Sequence, residues 1–78
     1  MATIKVTVGN RYMGGVVEEF ICHNVDMSEL EEVNYAIDEC VGAFVDMHED
    51  FFNDGSVEEQ FEKLAGCNYF AEEVISND

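Results

Sequence analysis

The segment ATIKVTV, residues 2–8, alternates strictly between apolar and polar side chains. Ile4, Val6 and Val8 therefore fall on one face of an extended chain, with polar residues on the other face. Most of the residues in this segment are β-branched, and such side chains pack well on a pleated sheet. The segment predicts a β-strand with one buried face.

A second run, VVEEFICH at residues 16–23, is also rich in residues that favour strands. The connecting segment GNRYMGG, residues 9–15, contains glycines and an asparagine, which accept positive φ angles. The two strands are therefore expected to form an antiparallel hairpin with a long or bulged loop. The tip of this loop carries Arg11, Tyr12 and Met13, which form a candidate contact patch.

The sequence DMSELEE begins the next element. Asp26 with Glu29, and Ser28 with Glu31, each have the spacing of a capping box at a helix N-terminus. From there an apolar stripe with helical spacing continues for about seven turns and ends near residues 53–55. The stripe consists of Leu30, Val33, Ile37, Cys40, Val41, Phe44, His48 and Phe51.

Two shorter helices are expected after this long one. Ser56 and Glu59 have the spacing of another capping box. The apolar positions of the helix that follows it are Val57, Phe61, Leu64 and Ala65. The helical phase slips after Gly66, so that a separate third helix is predicted from Tyr69 to Ile75.

The resulting order, ββααα, predicts an α+β fold in which a two-stranded antiparallel β-hairpin precedes a long amphipathic acidic helix and one or two shorter helices. The 78 residues are expected to form a single domain, with the hairpin in residues 1–25 and the acidic helical part in residues 26–78. A two-stranded sheet is marginal by itself. Either the long helix covers the hairpin, or a second copy of the chain extends it in a homodimer.

The charge of the chain is strongly one-sided. There are 18 acidic and three basic residues, which give a formal net charge of -15. Residues 1–25 hold two bases and two acids, so that the whole net charge belongs to residues 26–78. Such a charge opposes compaction by self-repulsion, yet 47% of the residues are hydrophobic, which is atypical of a disordered chain.

Motifs for metal binding and catalysis are missing from the sequence. A calcium loop built around Gly55 would have Phe52 and Phe61 at positions that require carboxylates. His23 and His48 have no second ligand at helical spacing, and the three cysteines lack Cys-x-x-Cys spacing. A thiolate that serves as a catalytic nucleophile needs an electropositive setting, which is the opposite of this one. We therefore expect no metal, no cofactor and no enzyme activity.

The sequence also predicts a soluble intracellular protein. The N-terminal segment lacks the basic and apolar regions of a signal peptide, and no apolar run is long enough to span a membrane. The odd number of cysteines is typical of reduced, mostly buried thiols in a cytosol.

Acidic residues occupy the face of the long helix opposite its apolar stripe, with no lysine or arginine between them. Glu32, Glu39 and Asp46 recur every seven residues, about 10.5 Å along the helix, at a charge density similar to that of a polynucleotide. The candidate partner-binding residues are Glu31, Glu32, Asp38, Glu39, Asp46, Glu49, Asp50, Asp54, Glu58, Glu59 and Glu62. The exposed loop patch, together with Phe52, is a candidate second contact.

In size, charge, lack of tryptophan and proline, and element order, the chain resembles the small acidic inhibitors of bacteriophages and mobile elements. These DNA mimics block restriction, repair or CRISPR effector proteins, and many anti-CRISPR proteins are among them. The resemblance implies a protein of the bacterial cytoplasm that occludes the basic DNA-binding groove of a host defence complex. The implied partner is a basic nucleic-acid-binding protein, with a CRISPR effector first and a restriction or repair protein second.

Direct binding to nucleic acid or to a membrane is not expected of such a protein. The alternative is an acidic interaction module or adaptor subunit. Its partner would be basic but unrelated to nucleic acid.

Overall fold

The alternating N-terminal segment forms the central strand of a three-stranded antiparallel sheet in the computed structural model, which describes residues 1–74. Strand β1 spans Ala2–Asn10, β2 spans Val17–Val25 and β3 spans Cys67–Val74, in the order β2-β1-β3. The apolar side chains that alternate along β1 are buried on one face, as predicted.

Three helices connect β2 to β3. Helix α1 spans Leu30–Met47, α2 spans Glu49–Phe52 and α3 spans Val57–Ala65. Helix α1 packs on the face of the sheet that carries the buried residues of β1. The α+β class is therefore confirmed, and so are the hairpin and the break at Gly66. The last element differs from the prediction.

The predicted third helix is wrong, because Cys67–Val74 forms β3. This strand pairs antiparallel with β1, so that Ala71 lies opposite Val6. Its tyrosine, phenylalanine and valine suit a strand, and the pairing satisfies backbone groups along the edge of β1 that a hairpin alone leaves open. Ile75, the predicted end of the helix, lies outside the described residues. The chain itself thus supplies the third strand for which a second copy was considered.

The loop between β1 and β2 has the predicted backbone but is not a free tip. Gly14 and Gly15 have φ angles of 61° and 93°, which glycine adopts without a steric penalty. The N–H of Arg11 donates to the carbonyl of Gly66 at 3.0 Å. The Tyr12 ring lies so close to Gly66 that a Cβ added there would meet it at 2.8 Å. The loop is therefore held against the end of α3.

A β-bulge near the end of the hairpin brings an additional residue into the core. Ile4 pairs with Cys22, whereas Ala2 pairs with Val25, so β2 has one extra residue here. Asn24 lies in this bulge with a φ angle of 59°, a conformation that asparagine accepts more readily than most residues. As a result Cys22 and Val25 both face α1, although they are three residues apart.

The predicted long helix is interrupted at His48. Its φ of -119° and ψ of 38° lie outside the helical range, so the expected seven turns become α1, with about five turns, and the short α2. Phe52, four residues after His48 and at the end of α2, is buried with 3% of its surface exposed. Its ring meets that of Phe44 edge-on, with 6.1 Å between the centroids. The break thus accompanies the entry of Phe52 into the core.

The start of α1 also differs from the prediction. Its N-cap is Glu29, and no side chain caps the helix. Asp26 instead accepts hydrogen bonds from the hydroxyl of Ser28 at 2.6 Å and from its N–H at 3.0 Å, and these bonds lower the pKa of Asp26. Leu30, which the apolar stripe includes, lies in the first turn of α1 and is 71% exposed.

Helix α3 begins as predicted but buries none of its residues. The Ser56 hydroxyl accepts the N–H of Glu59 at 3.2 Å, which caps the helix, and it donates to the carboxylate of Glu59 at 3.2 Å. The apolar residues expected to pack inward are exposed. These are Val57, Phe61, Leu64 and Ala65.

One apolar core lies between α1 and the sheet, with Phe44 fully buried in it. The buried apolar residues are Ile4, Val6, Val8, Val25, Ile37, Cys40, Phe44 and Phe52. His48 lies at the boundary of this core, where its ring packs on Phe44 with 4.8 Å between centroids. Its Nε2 is 3.4 Å from the carboxylate of Glu18 on β2.

Asn10, the one buried polar residue among those described, joins three parts of the fold. Its Nδ2 donates to the Lys63 carbonyl at 2.6 Å and to the Cys67 sulfur at 3.3 Å. Its Oδ1 accepts the N–H of Tyr12 at 2.9 Å. These bonds tie the hairpin loop, the end of α3 and the start of β3 together.

Replacing Asn10 with alanine should lower the free energy of unfolding by about 2 kcal/mol, because it removes the side-chain partner of the Tyr12 N–H and one of the two partners of the Lys63 carbonyl. Urea denaturation followed by circular dichroism measures this loss. The matched control is Asn34→Ala on the exposed side of α1, which should change stability by less than about 0.5 kcal/mol. Equal losses in the two variants would contradict the role given to Asn10.

Candidate partner-binding face

The outer side of α1 carries an acidic face that consists of Glu31, Glu32, Asp38, Glu39 and Asp46. All five residues are exposed, and their spacing places them within about a third of the helix circumference. The helix rises about 22 Å from the first to the last of them, so carboxylates recur about every 5.5 Å on average, against about 3.4 Å for the phosphates of one DNA strand. The structure therefore brings the predicted acids of α1 together on one side.

The three basic side chains lie elsewhere. Lys5, on β1, forms a salt bridge with Glu72 at 3.1 Å, and the hydrogen bond between them raises the pKa of Lys5. The Nζ of Lys63 donates to the backbone carbonyls of Phe51 at 3.0 Å and Asp54 at 2.8 Å. Arg11 stacks over the ring of its neighbour Tyr12. Within residues 1–74, no salt bridge neutralises a carboxylate of the acidic face.

The other predicted acids lie on α2, on α3 and between them. They are Glu49, Asp50, Asp54, Glu58, Glu59 and Glu62, and all are exposed. Asp46, Glu49 and Asp50 line one shallow cleft of about 440 Å³, so the negative surface continues past the break at His48. Glu59 and Glu62 line a separate cleft of about 280 Å³ beside the hairpin loop. The sequence predicts one continuous row of acids along a helix of about seven turns. In the structure the acids form the face on the roughly five turns of α1 and then separate clusters on the shorter helices.

Tyr35 stands within the acidic face and is not among the residues predicted from the sequence. It is 66% exposed, and hydrogen bonding to Glu39 raises its pKa. With Glu31 and Glu32 it forms the α1 wall of an open cleft of about 690 Å³, whose other wall is β2. Its position on the helical wheel, between the predicted acids, was the available signal. An aromatic ring among carboxylates suits a cationic side chain.

The predicted second contact is only partly accessible. Arg11 and Tyr12 are exposed, although their loop is held against α3. Met13 is half-buried and packs on the core. Phe52 is buried, so it is unavailable to a partner, because the break in the long helix turns it inward. Of the four residues, two therefore remain as surface contacts.

The outer face of the sheet, away from α1, exposes apolar side chains that are not among the site residues predicted from the sequence. Val17 and Ile21 of β2 lie on this face, as do Phe70 and Val74 of β3, and all four are exposed. The salt bridge of Lys5 crosses the same face. The segment NYFAEEV does not alternate between apolar and polar residues, so the outward position of Phe70 and Val74 follows only from the pairing of β3 with β1.

No protein-family model, curated protein or solved structure matches this chain. Among residues 1–74, no group of three or more histidine, cysteine, aspartate or glutamate side chains is arranged to hold a metal ion. No helix in the same part of the chain is long and apolar enough to cross a membrane. The acidic face offers exposed carboxylates, which can accept hydrogen bonds from cationic groups.

Proposed function

We propose that the chain is a protein inhibitor that mimics the charge of a nucleic acid and occludes the basic DNA-binding groove of a host defence complex. The target is a CRISPR effector in the first place, and a restriction or repair protein in the second, in the cytoplasm of a bacterial host. The observation that carries this proposal is the acidic face: five exposed carboxylates on one helix, with no salt bridge to the basic side chains of residues 1–74.

The mechanism is steric and electrostatic occlusion. The acidic face docks on the arginines and lysines that would otherwise hold DNA phosphates, while Tyr35 provides a ring on which a guanidinium can stack. Because α1 is anchored through Phe44 and its neighbours, the charges are held in position before binding, which lowers the entropic cost of association. Association should be fast and should weaken as salt screens the charges.

A competition experiment tests the proposal. The protein is immobilised and exposed at low salt to a lysate of a bacterium that contains a CRISPR system, and the retained proteins are identified by mass spectrometry. We expect a nucleic-acid-binding protein that short duplex DNA releases and that an equal concentration of uncharged polymer leaves in place. If DNA leaves every retained protein in place, a function as a nucleic-acid mimic is excluded.

The second candidate function is an interaction module or adaptor whose partner is unrelated to nucleic acid. The specific observation in its favour is the apolar outer face of the sheet, because exposed apolar patches often mark protein contacts. In the same experiment an adaptor would retain a partner that is indifferent to DNA. Substitution of Phe70 by serine would release that partner, whereas a partner bound through the acidic face would stay.

A further inference from the structure

Two of the three cysteines meet between the layers of the fold. Cys22 lies on β2 and Cys40 lies on α1, and their Sγ atoms are 3.3 Å apart. Both are free thiols. Bonded sulfurs lie at about 2.05 Å, so a movement of little more than about 1 Å would bring these atoms to bonding distance. The third cysteine, Cys67, contacts Asn10 instead.

The two thiols differ in their access to solvent. Cys40 is 5% exposed and belongs to the core, and its burial, together with its hydrogen bond to Cys22, raises its pKa to about 12. Cys22 is half-buried and lines the open cleft of about 690 Å³ between β2 and α1. A small molecule can therefore reach Cys22 directly, whereas it can reach Cys40 chiefly through Cys22.

We propose that Cys22 and Cys40 form an oxidation site, at which a low-molecular-weight disulfide converts the two thiols into an intramolecular disulfide between β2 and α1. The Cys22 thiolate attacks one sulfur of the small disulfide, breaks its S–S bond and releases one small thiol, which takes up a proton. Cys40 then loses its proton and attacks the Cys22 sulfur of the mixed disulfide, which expels the second small thiol. Two electrons pass from the cysteine pair to the small disulfide.

The charge of the cleft selects among such oxidants. Its α1 wall includes Glu31, Glu32 and Glu39, which attract a cationic disulfide and repel an anionic one. Cystamine, with two amino groups, should therefore react at least about ten times faster at low salt than oxidised glutathione, which carries net negative charge. High salt should reduce this difference.

The disulfide would link α1 covalently to β2 of the sheet. It closes a loop between residues 18 positions apart, and such a crosslink stabilises a fold mainly by restricting the unfolded chain. The midpoint of thermal unfolding should rise by about 10 °C or more on oxidation, given the size of the loop and of the domain. This inference is independent of the partner proposed above, since it concerns only the two thiols and their surroundings.

The test uses the full chain with Cys67→Ser, which leaves both thiols in place. After treatment with cystamine we expect a mass lower by two hydrogen atoms, a peptide in which Cys22 is linked to Cys40, a higher midpoint of unfolding, and full reversal by dithiothreitol. A stable cysteamine adduct without closure would overturn the proposal. So would disulfide-linked dimers, or a closed disulfide that lowers the midpoint.

The Cys40→Ser variant provides the matched control in the same background. It should stop at the mixed disulfide on Cys22, with the mass of one added cysteamine group. Should this variant fail to fold, the order of modification in the parent protein gives the same information. The adduct on Cys22 should appear before the closed form, and an adduct that appears first on Cys40 would contradict the assigned roles.

Discussion

Reversing two charges of the acidic face, Glu39→Lys with Asp46→Lys, should weaken binding to a basic nucleic-acid-binding partner by about 100-fold, because close interfacial charge pairs contribute about 1.5 kcal/mol or more each. Both side chains are exposed and belong to no salt bridge within residues 1–74. Their replacement should therefore cost little folding stability. The apparent Kd for the partner isolated by the DNA competition experiment measures the effect, at two salt concentrations.

The matched control is the pair Glu19→Lys with Glu73→Lys. These residues are exposed on the edge strands β2 and β3 rather than on α1. Each pair of reversals raises the net charge by four, from -15 to -11. If total charge alone drives binding, both variants lose the same affinity. A loss confined to the α1 pair would support recognition through the acidic face, and equal losses would exclude it.

The parts of the fold that could be predicted are those in which a local pattern and the final environment agree. β1 alternates with the period of a strand and is buried on its apolar face, and Ser56 caps α3 through its own local hydrogen bonds. Cys67–Val74 contains residues suited to a strand, but it becomes one because β1 offers an open edge about sixty positions away in the chain. The open edge belongs to the tertiary structure, and the local sequence of these eight residues does not reveal it.

In the candidate site, too, some features follow from the local sequence and others depend on tertiary contacts. The acids of α1 follow from helical periodicity alone, since any helix with this sequence puts them opposite the apolar stripe. Phe52 was misplaced because its environment depends on the break at His48, and no proline or glycine marks that break. The contact between Cys22 and Cys40 depends on how α1 lies across β2, which the spacing of the cysteines does not indicate.

Replacing Phe44 with alanine should lower the free energy of unfolding by about 3 to 5 kcal/mol, because its ring is fully buried between α1 and the sheet. A domain of 78 residues has a total stability of about 4 to 12 kcal/mol, so this loss removes from about a quarter to all of it, and the variant should unfold at a lower urea concentration than the parent protein. Urea denaturation measures the loss. Leu30→Ala is the control, since the sequence places Leu30 in the same stripe but it is 71% exposed, and it should lose less than about 0.5 kcal/mol.

The Phe44→Ala variant also separates a shaped acidic surface from charge alone, because it keeps the net charge of -15. If the carboxylates of α1 act as a rigid substitute for phosphates, binding to the partner should disappear in parallel with folding, and Leu30→Ala should bind normally. If the unfolded variant still competes with DNA as well as the parent protein does, an unstructured polyanion is sufficient. The core would then have no part in recognition, and the proposed mechanism would be wrong even though its partner was right.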